Sequence, residues 1–285
     1  MAVTTASESW TIFWQEFGPE NEPHDRCYVP ADGRSALDRE WAFFANALPL
    51  GAHAIDLGCG AGIVARNLLG HRPDLQMTGI DWARVSAISH PRFAIRTPVN
   101  MEAMPFGDGS FDAAVSQFGI EYSDIVETAR ELARVLRPGA PFCFLTHHRD
   151  SAIVREGSMR RRALRELMSG HLKHAFLSGK APGIAQQKAR LRRQYPDEPM
   201  VALVSDYFHR NISHTRAERQ AIWQKLSDDL DPEIALLRQM ERSAKSPTEL
   251  GMWLVPLLSR MTSVGASVVR CKSGEPIAWL VRGTR

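Results

Sequence analysis

The 285-residue chain has no apolar stretch long enough to cross a bilayer. Its longest, Leu250 to Leu258, is interrupted by Gly251 and Pro256, and a membrane helix needs about 20 apolar residues. Cysteine is scarce: Cys27, Cys59, Cys143 and Cys271 are scattered, with no C-x-x-C pair, which gives no disulfide framework and no metal signature. That usage fits a reducing compartment. Met1 to Trp10 has no basic region followed by an apolar core, so a signal peptide is not expected. Neither charge dominates, with 35 Lys and Arg against 32 Asp and Glu and a net charge of +3, so overall charge selects no partner. What remains is an ordinary globular composition, 44% hydrophobic and 24% charged. The expectation is a cytoplasmic protein with a sizeable core.

What is present is organised around Ala54-Ile55-Asp56-Leu57-Gly58-Cys59-Gly60-Ala61-Gly62-Ile63-Val64-Ala65. A short apolar strand passes through three alternating glycines into a helix-like segment. Glycine has no Cβ and tolerates positive φ, so a ligand can approach this main chain closely. The free N–H groups of the helix start favour a negative group on it. A tight turn that binds nothing is the plainer alternative, and three glycines at a strand's carboxyl edge argue against it. Gly60 to Ala65 also fits the dinucleotide fingerprint, with Asp81 downstream. Asp56 opposes that reading, because its charge would repel a pyrophosphate and would favour a ligand carrying an ammonium and a sulfonium.

Four ordered pieces, from about Ala52 to His147, resemble the class I S-adenosylmethionine-dependent methyltransferases. Asp56-x-Gly58-x-Gly60-x-Gly62 is similar to their first motif. Gly79-Ile80-Asp81 is similar to their second strand and its ribose-binding acid. Asn100 to Phe106, followed by Gly109-Ser110-Phe111-Asp112, is similar to the adenine-side loop and fourth strand. Arg134 to Gly139 is similar to the turn before the fifth strand. The resemblance covers roughly a third of the chain, with a weaker echo in the last forty residues. It implies S-adenosylmethionine as cofactor and S-adenosylhomocysteine as product, held by Asp56, Gly58, Gly60, Gly62, Asp81, Trp82, Asn100, Met101 and Gln117. Two departures stand out. Asn100 replaces the usual acid, although its amide oxygen can still accept from an adenine amino group. The segment Trp82 to Arg92 is short and holds Pro91, so any helix there is small or irregular.

Taken in order, residues 7–17 place Trp10, Phe13, Trp14 and Phe17 on one helical face. This is a helix docked on the core or a lid over the site. A polar loop, Glu20 to Gly33, leads to a second helix over Leu37 to Leu48. Strands are expected at His53–Leu57, Gln76–Ile80, Phe93–Thr97, Ala113–Gln117 and Ala140–Thr146, with helices at Ile63–Leu69 and Ile125–Leu136. Such alternation predicts an α/β fold, a mostly parallel sheet with helices on both faces. The resemblance makes it the seven-stranded Rossmann-like methyltransferase sheet. Residues 150–245 have no strand pattern and are rich in good helix formers, including periodic segments Thr215–Leu226 and Pro232–Ser243. They read as a helical insertion, a cap. A helix at Thr248–Thr262 and strands at Ser267–Cys271 and Ile277–Arg282, joined by Ser273-Gly274-Glu275-Pro276, complete the sheet. The division is 1–50 N-terminal helices, 51–149 cofactor-binding core, 150–245 insertion and 246–285 C-terminal hairpin.

The reaction expected is transfer of a methyl group to oxygen or nitrogen of a small-molecule acceptor. His147 and His148, at the end of the fifth strand, are the candidate bases, since histidine titrates near neutrality. Their plainer role is to end the strand. Trp10, Trp14, Phe118, Glu121 and Tyr122 are the candidate acceptor contacts. No ligand spacing suggests a metal. The stretch from Arg155 to Arg193 is strongly basic, which suits an anionic acceptor, or RNA or protein as an alternative acceptor. Its few aromatics, Phe176 and Tyr195, disfavour nucleic acid. A non-catalytic module that binds the cofactor product or a dinucleotide is the other alternative. Oligomeric state is not legible.

Overall fold

A computed structural model describes residues 6–15, 29, 31–85 and 90–285. Phe17, Cys27 and nearly all of the expected loop before Gly33 lie outside the described residues. The chain divides into two compact units, Trp10–Arg155 with Met240–Arg285, and Glu156–Gln239 with Met1–Ser9.

The first unit is a seven-stranded sheet. In chain order its strands are β1 (His53–Leu57), β2 (Gln76–Ile80), β3 (Phe93–Arg96), β4 (Ala113–Gln117), β5 (Pro141–His147), β6 (Ser263–Arg270) and β7 (Pro276–Thr284). They lie in the order β3-β2-β1-β4-β5-β7-β6. The first five are parallel, and β7 is antiparallel to β5 and β6. β1 is central and buried between β2 and β4, so it reads as a near-continuous apolar run. Asp56 is the buried polar residue within it, opposite Gly79 of β2 and Val115 of β4. The strand order reverses between β1 and β4, and ligands of such sheets sit at that crevice, beyond the carboxyl ends.

Helices α1 (Ala6–Gln15), α2 (Ala31–Ala47), α3 (Ile63–His71), α4 (Ile125–Val135) and α10 (Pro247–Leu258) accompany these strands. α4 starts where the Asp124 side chain accepts from Val126 N, and it buries Ala129, Leu132 and Val135 on one face. α10 starts in a capping box: Glu249 N donates to Ser246 Oγ, and Ser246 N donates to Glu249 Oε2 at 2.8 Å. Its Leu250, Trp253 and Leu257 join Phe111, Phe142, Phe144 and Val281 in the core. Phe142 and Phe144 stack with centroids 4.9 Å apart.

The second unit is helical, formed by α5 (Ala152–Leu167), α6 (Gly170–Leu177), α7 (Ala181–Gln194), α8 (Pro199–Arg210) and α9 (Arg216–Ser243), the first and last of which run on into the sheet unit. It has its own aromatic core. Phe176 lies 4.4 Å from Phe208, which stacks 5.1 Å from Trp223.

Three expectations need correction. α2 begins at Ala31 rather than Leu37, since its first turn is polar and Asp32 there favours the helix start. The two periodic segments after residue 215 are one helix with Pro232 inside it. Proline removes one backbone bond, but Leu230, Leu236, Leu237 and Met240 are buried on both sides of it, and that burial outweighs the loss. β6 starts at Ser263 rather than Ser267; it is an exposed edge strand of small residues, with no apolar alternation to mark it. Residues 82–85 carry no helix, and 86–89, the middle of that short segment, lie outside the described residues.

Candidate active site

The carboxyl ends of β1 and β2 meet at the glycine turn. Gly58 has φ 66° and Gly60 φ 48°, which only glycine adopts without strain. A Cβ on Gly58 would come within 2.9 Å of Gly119 Cα, and one on Gly60 within 2.3 Å of the Trp14 indole. The turn is therefore bare main chain, closed on one side by α1. Asp81, at the end of β2, holds it in place. Its Oδ2 accepts from Gly60 N at 2.9 Å and its Oδ1 from Ala83 N at 2.8 Å. Burial raises the Asp81 carboxyl, and those two N–H groups oppose the rise.

Asp56 is fully buried, and neither of its carboxylate oxygens has a partner among the described residues. Burial, with Asp81 as second cause, pushes its pKa up to about 8. An orphaned buried carboxylate is costly, and a cation at the turn would relieve it. This refines the sequence expectation: without a cation, Asp56 carries a proton at neutral pH instead of standing as a charge.

The adenine-side loop is tied down twice. Asn100 Oδ1 accepts from Glu102 N at 2.9 Å, and Glu102 Oε1 accepts from Asp124 N at 2.8 Å. Glu102 thus supplies an acid two residues after the position where the sequence lacks one. Arg134 and Glu131 of α4 hold the next stretch: Arg134 donates to the Met104 and Phe106 carbonyls, and Glu131 accepts from Met104 N at 2.7 Å. Met101 Cε lies beside Gly58. Trp82 is 51% exposed on the loop after β2. Gln117 Oε1 accepts from Trp41 Nε1 at 2.6 Å, so that oxygen is committed to α2.

A second cluster forms where β4 and β5 end. Ser116 Oγ donates to Leu57 O at 2.6 Å and accepts from Ile120 N at 3.0 Å, fixing a short 3-10 turn, Ile120–Tyr122. Phe118, just before it, has φ 54°, an uncommon conformation for a bulky residue. Its ring lies 4.3 Å from that of His147. Glu121 Oε1 accepts from His147 N at 3.0 Å and sits 2.7 Å from His147 Nδ1. Tyr122 stands edge-on to His147 at 6.1 Å, and Trp10 edge-on to Tyr122 at 5.3 Å. The structure therefore brings together His147, Phe118, Glu121, Tyr122 and Trp10.

His148 goes elsewhere, as neighbours on a strand must. It packs 4.4 Å from Trp279, its Nδ1 accepts from Asp150 N, and burial lowers its pKa. Lys245 pairs across from it; Lys245 N donates to His147 O at 3.0 Å. That residue carries no sequence motif and lies far along the chain, so sequence reasoning had no signal for it. In the basic stretch, Arg160 pairs with Glu198 and Glu233, Lys188 with Asp206, and Arg190 with Glu166. Among the described residues no cluster of His, Cys, Asp and Glu could hold a metal, and no helix is long and apolar enough to cross a membrane.

Residues 55–144 match the family model described as "Methyltransferase domain". The chain is similar to a malonyl-[acyl-carrier protein] O-methyltransferase of Dechloromonas aromatica, 30% identical over 120 residues, or 40% of this chain and 45% of the relative. It is also similar to a 2-phytyl-1,4-naphtoquinone methyltransferase of Nostoc punctiforme, 32% identical over 130 residues, 42% of this chain and 56% of the relative. The chain spans about half the length of these curated relatives. A solved S-adenosylmethionine dependent methyltransferase from Mesorhizobium loti is 24% identical, with a TM-score of 0.33, over 39% of this chain and 55% of its own.

Proposed function

From the premise that residues 55–144 are a methyltransferase domain of the Rossmann-like class, we propose that this chain transfers a methyl group from S-adenosylmethionine to oxygen or nitrogen of a small-molecule acceptor. The observation that carries the reading is Asp56, a buried carboxyl with two orphaned oxygens beside a bare glycine turn. Those oxygens are the acceptors an amino-acid ammonium needs, and such a cation favours loss of the Asp56 proton, whereas a dinucleotide pyrophosphate would oppose it and leave the carboxyl protonated. Asp81, Asn100, Met101, Gly58, Gly60 and Gly62 complete the cofactor residues, with Trp82 at the rim. The acids match the two ends of the ligand: Asp56 for the ammonium and Asp81 for the ribose hydroxyls.

When bound, the cofactor supplies a methyl already activated on sulfonium. The chain's own work is then to position the acceptor, exclude water and take a proton. His147 is the base, and His148 ends the strand. Trp10, Trp14, Phe118 and Tyr122 offer the acceptor an apolar aromatic surface. The curated relatives, named for a quinone and an acyl-carrier substrate, favour a non-nucleic-acid acceptor. Arg160, Lys188 and Arg190 are paired within the helical unit, which weakens the support for an anionic acceptor or for RNA docked there.

The test is labelled methyl donor incubated with the protein and a fractionated cell extract. Label in the small-molecule fraction is expected. Label in RNA or protein would replace the acceptor assignment, and protein-dependent label in no fraction would count against catalysis.

A further inference from the structure

We propose that Glu121 is the positioning residue that orients His147 as a base, and that the acceptor they serve is a hydroxyl on a flat aromatic ring; this rests on the methyl-transfer reading above.

Glu121 is buried to the last atom of its side chain, and its Oε1 takes both the backbone N–H of His147 and the ring at Nδ1, at 3.0 and 2.7 Å. Its Oε2 has no partner among the described residues. A carboxylate accepts, so the shared contact puts the ring proton on Nδ1 and leaves the lone pair of a neutral imidazole on Nε2. Among the described residues no hydrogen bond reaches Nε2. A merely structural acceptor for one backbone N–H would not require a carboxylate in a dry place, because an amide serves without the cost of burying charge. A carboxylate there does what an amide cannot: it offsets the positive charge His147 acquires on taking a proton.

The acceptor class follows from what surrounds that lone pair. Phe118 lies against the His147 ring at 4.3 Å and 31°, held there by a positive φ that a phenylalanine adopts only at some cost. Tyr122 and then Trp10 extend the aromatic surface edge-to-face, at 6.1 and 5.3 Å. Offset and edge contacts of this kind select a flat, apolar partner. A hydroxyl on such a ring ionises near 10, as tyrosine does, so an imidazole base has several pKa units less to overcome there than with an aliphatic alcohol. In the step, the ring oxygen bonds the methyl carbon as its proton passes to His147 Nε2. The carbon–sulfur bond breaks with its electron pair left on sulfur, and the proton on His147 then leaves to solvent.

The experiment compares wild type, Glu121→Gln and His147→Ala on 1-naphthol and on 4-nitrophenol, with calorimetric binding of S-adenosylhomocysteine measured in parallel. 4-Nitrophenol is largely ionised at pH 8 and needs no base. Both variants should lose about 10²-fold or more in kcat on 1-naphthol, far less on 4-nitrophenol, with S-adenosylhomocysteine affinity unchanged. Equal losses on both acceptors would make Glu121 structural only and overturn the pairing. Cofactor-product binding without turnover of either phenol by wild type, or turnover of aromatic amines alone, would overturn the acceptor class while the methyl-transfer reading stands. No binding of S-adenosylhomocysteine would remove that reading and this inference with it. Should Glu121→Gln fail to fold, the ¹⁵N spectrum of His147 in wild type decides: protonated Nδ1 and bare Nε2 are expected, and the opposite tautomer would overturn the proposal.

Discussion

Burial and the neighbouring Asp81 push the Asp56 carboxyl up to about 8, so the ligand-free protein holds a proton there that the unfolded chain releases near 4. The sign follows from proton counting. Between those two pH values the folded state binds more protons, so rising pH lowers stability, and the loss is complete above the folded value. Asp56→Asn removes the titration. Ligand-free wild type and Asp56→Asn should melt alike at pH 5, and the variant should be the more stable at pH 9, by about a few kcal/mol. Parallel melting curves across that range would show that Asp56 does not titrate there. Binding an ammonium group should drive the same proton off. Calorimetry of S-adenosylhomocysteine at pH 7 in buffers of different ionisation enthalpy should then register proton release, and equal heats in all buffers would contradict it.

Arg134 and Glu131 show how an element far from the ligand holds the loop that meets it. Arg134 bonds both Glu131 oxygens and two loop carbonyls, and Glu131 in turn accepts from Met104 N. The Arg134 guanidinium lowers the Glu131 carboxyl, so this pair stabilises above the ordinary carboxylate range and weakens as pH falls through the lowered value. Arg134→Ala leaves those carbonyls and a mostly buried acid without their donor, a loss on the order of 1–3 kcal/mol. Differential scanning calorimetry should show a melting temperature lower by several degrees, with weaker binding of adenosine-containing ligands. An unchanged melting temperature would mean the loop is held by other contacts.

The elements themselves were legible where burial writes a pattern. β1, β2 and β4 begin and end where the expected strands do, because strands covered on both faces are mostly apolar. The boundaries that moved are those without such a pattern: the exposed edge strand β6, the polar first turn of α2 and the proline inside α9. The candidate site was legible to the same degree. Sequence order alone picked out Asp56, the glycines and Asp81, since their spacing is local. Contacts between distant residues were not: Glu121 lies 26 positions from His147 and Trp41 76 from Gln117. Nor could sequence divide His147 from His148; strand alternation does so once β5 is in place.

At the scale of the whole chain, two units with separate cores carry separate burdens. The sheet unit holds every residue assigned to the cofactor, whereas the helical unit builds its core from Phe176, Phe208 and Trp223. S-adenosylhomocysteine at about 100 times its Kd should stabilise the unit that binds it by roughly 2.7 kcal/mol. Urea unfolding followed by amide exchange should place that gain in Trp10–Arg155 and Met240–Arg285. A gain confined to 156–239 would put the ligand in the helical unit and reverse the assignment of the site.

The central claim is that the glycine turn, Asp56 and Asp81 bind S-adenosylmethionine, and titration calorimetry with S-adenosylhomocysteine and with NAD tests it most directly. Wild type should bind the first and not the second. Asp81→Ala should weaken that binding by about 10- to 150-fold, as loss of a charge-assisted acceptor worth roughly 1.5–3 kcal/mol requires. Binding of NAD in preference, or S-adenosylhomocysteine affinity unchanged in Asp81→Ala, would contradict the account.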